Sequence, residues 1–79
     1  MNENKIIGLL ELIVPQILKE IKKVKGNIDF DDIYKFYNSK LYSELSNEST
    51  KMWHYSPLTL YNMYSDEINK GKYEYPEES

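Results

Sequence analysis

The sequence contains no cysteine among its 79 residues and only one histidine, His54. The lack of cysteine excludes disulfides and thiolate zinc sites, and one histidine cannot build a histidine-rich metal site. A domain of this length buries only roughly 60–65% of the surface that its unfolded chain exposes. Small domains usually add disulfides, a metal or a partner chain to their cores. We therefore expect support from another protein or from a second copy in a homodimer.

Arginine is also absent, since all ten basic residues are lysine, and the net charge is −3. Arginine provides the planar, bidentate donor used to recognise phosphate and guanine, whereas lysine provides only a point charge. Nucleic-acid-binding domains usually have a basic stripe and a high isoelectric point, and this chain has a pI near 5.1. The composition therefore predicts no nucleic-acid partner.

Long apolar runs are missing as well, and no stretch of about 18 apolar residues could span a membrane. The first five residues lack the charge layout of a signal peptide, and no small-residue cleavage site follows the apolar residues 9–14. The hydrophobic fraction of 41% and the charged fraction of 29% are ordinary for a folded domain. We expect a single cytoplasmic domain without a membrane segment.

Motifs that carry catalysis or bind cofactors are also missing. Three scattered glycines cannot form a phosphate-binding loop or a dinucleotide fingerprint. His54 and Ser56 are close in sequence, but no nucleophile elbow or glycine-rich oxyanion turn accompanies them. Asp29, Asp31 and Asp32 resemble the start of a calcium loop, but the sixth loop position is a tyrosine and the twelfth is a lysine. We expect no catalytic residue, no cofactor, no metal and no enzymatic activity.

The first predicted helix covers about residues 4–25 and ends at Gly26, with lysines in its last turns. Pro15 lies in the middle of its pattern and removes the hydrogen bond to the Glu11 carbonyl. Either the helix bends at Pro15 or a second helix begins there, and the continuous apolar register favours a long, kinked helix. Apolar residues recur at helical spacing at Ile6, Leu10, Ile13, Ile17, Ile21 and Val24.

A second helical region begins at Asp29, which is a good N-cap. Its predicted buried stripe includes Phe30, Ile33, Tyr34, Tyr37, Leu41 and Leu45. Asn38 and Ser39 interrupt this region, and both compete for helix backbone hydrogen bonds. We predict two short helices, roughly 30–37 and 40–46, with Ser39 capping the second. One continuous helix is the alternative.

The last predicted helix begins after a polar linker at residues 46–52. Ser56 is its N-cap, Pro57 occupies the first helical position, and Gly71 ends it. Its predicted buried stripe consists of Leu60, Tyr61, Tyr64 and Ile68. The sequence therefore predicts an all-α domain of three to four helices over residues 1–72, followed by an extended acidic tail at 73–79.

Two groups of residues are candidates for binding a partner. Leu9 and Leu12 extend the apolar surface of the first helix beyond one stripe, and the other helices are too few to cover it. We expect both leucines to be exposed on the isolated chain or paired across a homodimer. Trp53, His54 and Tyr55 form a distinctive string that either packs the linker onto the core or provides exposed anchors for a partner.

A third observation is a resemblance. Several residues between 30 and 72 occur at familiar spacings, namely Phe36-Tyr37-Asn38-Ser39, Leu45, Glu48, Thr50, Trp53-His54, Ser56-Pro57 and Leu60-Tyr61. This pattern resembles a group of very small uncharacterised proteins from low-GC Gram-positive bacteria. Some of these are encoded near candidate ADP-ribosyltransferase-like toxins, which implies an antitoxin-like or regulatory role.

The sequence thus favours a non-enzymatic module that binds another protein or a second copy through its first helix. The alternative is a small DNA-binding or transcription-regulating domain, because short helices joined by tight turns also form helix-turn-helix units.

Overall fold

Four α-helices and two short 3₁₀ turns form this chain in a computed structural model, which describes residues 3–75. The described residues contain no strand, so the predicted all-α fold is confirmed. None of the helices in this part of the chain is both long and apolar enough to cross a membrane. The helices are α1 (Glu3–Lys25), α2 (Phe30–Tyr37), α3 (Lys40–Leu45) and α4 (Pro57–Lys70), and the 3₁₀ turns are Glu48–Thr50 and Met52–His54.

Helix α1 continues through Pro15, as predicted. Pro15 has no amide hydrogen, so the Glu11 carbonyl lacks its usual donor four residues further along the helix. The apolar register survives the proline, because Ile13, Ile17 and Ile21 are all buried. That Pro15 lies inside a helix is therefore confirmed, and the bend at Pro15 stays a prediction.

The corner between α1 and α2 is fixed by polar side chains. The Asp29 carboxylate accepts a hydrogen bond from the Asp32 amide at 3.0 Å, and the Asp32 carboxylate accepts one from the Asp29 amide at 3.1 Å. This pair is a capping box, which provides acceptors for amides that the helix itself leaves unpaired. Lys25, at the end of α1, also bonds to Asp32. The predicted cap at Asp29 is confirmed.

Ser39 separates α2 from α3, so the predicted break is confirmed. Its hydroxyl accepts a hydrogen bond from the Tyr42 amide at 3.1 Å and donates one to the Phe36 carbonyl at 2.6 Å. Glu67 of α4 completes the start of α3 by accepting from the amides of Lys40 and Leu41 at 2.8 and 2.9 Å. The free amides of this short helix are therefore paired by side chains.

The core lies where α1, α3 and α4 meet, with Phe36 of α2 inserted between them. The Phe36 ring is fully buried and makes edge-on contacts with the rings of Tyr64 and Tyr42, at centroid distances of 5.3 and 5.6 Å. Such pairs add to the stabilisation that burial provides. The largest fully buried side chains are Phe36, Ile17, Leu41, Leu45, Met52 and Leu60.

The predicted buried stripe of the second helical region is wrong at three positions. Phe30, Tyr34 and Tyr37 are 80%, 59% and 45% exposed, respectively. The cause is the break at Ser39, because an eight-residue helix that buries Phe36 must turn its opposite face outwards.

Two further residues of the predicted stripes, Val24 and Ile68, are also exposed, at 66% and 56%. They line a groove of about 340 Å³ between the C-terminal ends of α1 and α4. The stripe of α4 instead includes Met63, which is 4% exposed. The ends of both helices therefore carry apolar side chains that no other described element covers.

The linker between α3 and α4 is more ordered than its polar sequence indicates. Its two 3₁₀ turns meet at Lys51, which has a left-handed backbone with φ of 58°. The Thr50 hydroxyl donates to the Glu44 carbonyl at 2.7 Å, and Met52 is 1% exposed. Met52 therefore belongs to the core and not to a solvated linker.

Residues 72–75, the C-terminal arm, follow α4 and turn back onto α3. The hydroxyls of Tyr73 and Tyr75 both donate to the Oε1 atom of Glu44, the latter at 2.7 Å. Tyr73 is half-buried and packs against the core, and the Lys40 ammonium lies 5.7 Å from its ring centroid. The arm begins after Gly71, whose φ of 80° ends α4 as predicted. The rest of the predicted acidic tail, residues 76–79, lies outside the described residues.

The cap of α4 gives a first test. The Ser56 hydroxyl accepts from the Thr59 amide at 3.1 Å and donates to the Thr59 hydroxyl at 2.9 Å. Replacing Ser56 with alanine should lower the free energy of unfolding by about 1 kcal/mol, because the amide loses its acceptor. Urea denaturation measures this change. Ser43→Ala, at an exposed position inside α3, is the matched control and should leave stability within a few tenths of a kcal/mol. Equal effects of the two changes would contradict the cap.

The arm gives a second test, based on pH. The hydrogen bond from Tyr73 lowers the pKa of the Glu44 carboxyl, and the Tyr75 hydroxyl acts in the same direction. A carboxyl with a lowered pKa in the folded state stabilises the fold above its unfolded pKa of about 4.3, and this contribution is lost as the pH falls through the folded pKa. Burial raises the pKa of Tyr73, so its contribution is present below about pH 10 and is lost at higher pH.

We therefore expect Tyr73→Phe to destabilise the fold by about 1 kcal/mol near pH 7. The difference from the wild type should shrink as the pH falls below about 4, where the carboxylate becomes protonated. Urea titrations at a series of pH values measure this difference in the free energy of unfolding. Tyr61→Phe is the matched control, because Tyr61 is also half-buried and its hydroxyl has no hydrogen-bond partner within residues 3–75. A Tyr73→Phe difference that stays constant from pH 7 to pH 3 would count against the arm contact.

Candidate protein-interaction surface

The polar side chains that could suggest chemistry have structural partners. Asp31 forms an ion pair with Lys35 at 3.3 Å, and Asp29 and Asp32 form the capping box. Within the described part of the chain, no three histidine or carboxylate side chains gather to hold a metal ion. The Ser56 hydroxyl bonds to Thr59. These side chains lie at the starts of α2 and α4 and have structural partners there.

The string from Trp53 to Tyr55 is divided between the core and the surface. Trp53 is half-buried, and its indole N–H donates to the Glu48 carbonyl at 3.2 Å. His54 is exposed, contacts the Lys51 carbonyl through Nδ1, and has its ring centroid 4.4 Å from that of Tyr55. Trp53 thus fastens the linker to the core, and His54 is the member of the string that solvent reaches most.

Leu9 and Leu12 lie at different depths. Leu12 is 67% exposed, as expected, whereas Leu9 is partly buried and packs against the core. Leu9 precedes the buried Ile13 by four residues, and side chains at that spacing share one side of a helix. The expected exposure is therefore wrong for Leu9.

An open groove of about 500 Å³ follows the N-terminal half of α1. We call it the α1 groove, and it is lined by Ile7, Leu10, Glu11, Val14, Pro15, Leu18, Tyr37 and Tyr42. Only one of these residues, Glu11, is charged. Leu12 does not line it, so α1 presents apolar side chains to solvent on two sides. The sequence pattern indicated that the N-terminal half of α1 is exposed, but it did not indicate this side of the helix.

A row of exposed aromatic rings lies beside the α1 groove. Phe30, Tyr34 and Tyr37 occupy positions i, i+4 and i+7 of α2 and therefore share one face of the helix. We call this row the α2 ridge. Tyr37 belongs to both features, because it also lines the α1 groove. The sequence pattern assigned these rings to the core, and the break at Asn38 and Ser39 was the signal that α2 is too short to bury both faces.

The polar side chains of the α1 groove are few. The Glu11 carboxylate is an acceptor, and the hydroxyls of Tyr37 and Tyr42 can both donate and accept. Burial raises the pKa of Tyr42, and the nearby Tyr37 acts in the same direction. The groove therefore suits a mainly apolar ligand surface with a few hydrogen-bonding groups.

Comparison with protein-family models, curated proteins and solved structures gives no significant match to this chain. The resemblance to small proteins of Gram-positive bacteria stays a prediction. The case for a function therefore rests on the surface that the chain itself presents.

Proposed function

We propose that this chain is a non-enzymatic protein–protein interaction module that binds its partner through the α1 groove and the α2 ridge. The observation that carries the proposal is the location of its exposed apolar side chains. Of nine exposed large hydrophobic residues in the described chain, four line the groove or form the ridge, namely Ile7, Phe30, Tyr34 and Tyr37. A fifth, Leu12, is exposed on another side of α1.

The energetics of these side chains support binding to a protein. Burying a large apolar side chain stabilises a folded or bound state by roughly 1.5–3 kcal/mol. Contiguous apolar patches are uncommon on monomers and usually mark contact sites. Aromatic residues are enriched at such contacts, because each covers a large area with few rotatable bonds. The α2 ridge, which adjoins the α1 groove at Tyr37, combines these properties.

The structure gives less support to the alternative, a DNA-binding domain. Helix α3 follows a tight turn, where a recognition helix would lie, but it carries one basic side chain, Lys40. The Lys40 ammonium lies near the Tyr73 ring, and the C-terminal arm covers this part of α3. A DNA-binding surface needs several cations to neutralise phosphates.

We extend the proposal to a partner in the bacterial cytoplasm and to an antitoxin-like or regulatory role. This extension rests on the sequence resemblance. The contact surface itself rests on the exposed apolar residues of α1 and α2.

Site-specific photo-crosslinking in cells that make the protein tests the proposal. A benzophenone amino acid at Ile7, Phe30 or Tyr34 should give discrete adducts with one protein, because these exposed positions lie in the groove or on the ridge. The same amino acid at Lys22, an exposed position in the last turns of α1, is the control and should give no such adduct. Either a partner protein or a second copy of the chain would satisfy the proposal. Identical products at all four positions, or no adduct at the three apolar ones, would refute it.

A further inference from the structure

The α2 ridge and the α1 groove lie next to each other and share Tyr37. We propose that the α1 groove of one copy receives the α2 ridge of a second copy, and that the second copy does the same in return. The result is a dimer with two-fold symmetry. This inference rests on the proposed function and names its partner as the chain itself.

The dimensions of the two features agree. The α1 groove runs from Ile7 to Leu18, eleven residues along a helix, which is about 16 Å at 1.5 Å per residue. The α2 ridge runs from Phe30 to Tyr37, seven residues, which is about 10 Å. A ridge of this length therefore fits within the groove of another copy.

The arrangement also meets the requirement of symmetry. In a two-fold dimer, the same surface is used on both subunits, so it must contain a projecting part and the recess that receives it. Here Tyr37 ends the ridge and lines the groove, which places both parts on one continuous surface. An axis close to Tyr37 would put each ridge opposite the other copy's groove and would close the assembly at two chains.

The polar groups of the two features are complementary. The groove offers the Glu11 carboxylate, an acceptor, and the ridge offers the phenol hydroxyls of Tyr34 and Tyr37, both donors. A phenol that donates to a carboxylate forms a charge-assisted hydrogen bond, which is stronger than a neutral one. Phe30, the most exposed ring, would meet the apolar part of the groove.

The available area is that of a small interface. A fully buried aromatic side chain covers roughly 200 Å², so the exposed fractions of Phe30, Tyr34 and Tyr37 amount to about 350 Å² per copy. The groove walls add to this area, with Tyr37 counted once because it belongs to both features. Standard interfaces bury about 800 Å² per partner, so we expect a dimer that forms only at high protein concentration.

Analytical ultracentrifugation of the full chain, from micromolar to millimolar concentration at physiological salt, tests the dimer. Three exposed positions with nearly equal exposure allow a matched design: Ile7 in the groove at 52%, Tyr34 on the ridge at 59%, and Ile68 on α4 at 56%. We expect Ile7→Lys and Tyr34→Glu each to raise the dissociation constant about 100-fold, because symmetry doubles each loss. Ile68→Lys and Ile68→Glu are the controls and should leave it unchanged. Far-UV circular dichroism checks that all four variants keep their helices.

Mixing the variants distinguishes this packing from any other dimer. A mixed dimer of Ile7→Lys with Tyr34→Glu keeps one intact contact and gains an opposite-charge pair in the other. The mixture should therefore associate at least about 10-fold more tightly than either variant alone. Mixing Ile7→Lys with Ile7→Glu is the control, because both contacts of that mixed dimer contain an altered groove, and it should not restore association. Circular dichroism checks the Ile7→Glu variant in the same way.

Three results would overturn the inference. The wild-type chain could stay monomeric at millimolar concentration. The Ile68 variants could weaken the dimer as much as Ile7→Lys and Tyr34→Glu do, or mixing Ile7→Lys with Tyr34→Glu could fail to restore association. Failure of the proposed function looks different. If the wild type is monomeric but Ile7 crosslinks to another protein, the inference is wrong and the proposed function stands. If no apolar position gives an adduct in cells, the proposed function is wrong.

Discussion

The two hydrogen bonds of the Ser39 hydroxyl determine the arrangement of the other elements. They join Ser39 to the last turn of α2 at Phe36 and to the first turn of α3 at Tyr42, so the chain turns between the helices instead of continuing as one. Ser39 is the only buried polar residue in the described chain, and its bond to Phe36 is buried while its bond to Tyr42 is partly buried. Because of this turn, α2 buries Phe36 and α3 buries Leu41 and Leu45. The same turn directs the α2 ridge outwards, so the break that forms the core also creates the exposed surface.

Polar side chains replace the disulfides and metals that often stabilise domains of this size. Some act at a helix start, where backbone amides would otherwise lack partners, and one holds the C-terminal arm. Asp29 and Asp32 close the corner after α1, Glu67 connects α4 to the start of α3, and Glu44 holds the C-terminal arm. In the described chain, every buried side-chain polar atom has a hydrogen-bond partner. Polar contacts between neighbouring elements therefore stabilise the fold in addition to the apolar core.

Local features were predictable from the sequence, and the choice of buried face was not. The caps at Asp29, Ser39 and Ser56 were found because each signal involves neighbouring residues only. The outward face of α2 was missed because periodicity identifies the residues that share a face but not which face meets the core. In a helix of eight residues, Phe36 alone settles that choice through its contacts with Tyr64 and Tyr42.

The position of the α1 groove follows from the lengths of the helices. With 23 residues, α1 is about 34 Å long, whereas α4 has 14 residues and is about 21 Å long. Side chains at the C-terminal ends of both helices line one groove, so α4 lies beside the later turns of α1. About 13 Å of α1 then extends beyond α4. The α1 groove begins on this overhang at Ile7, and Tyr37 of α2 and Tyr42 of α3 line its other side without closing it.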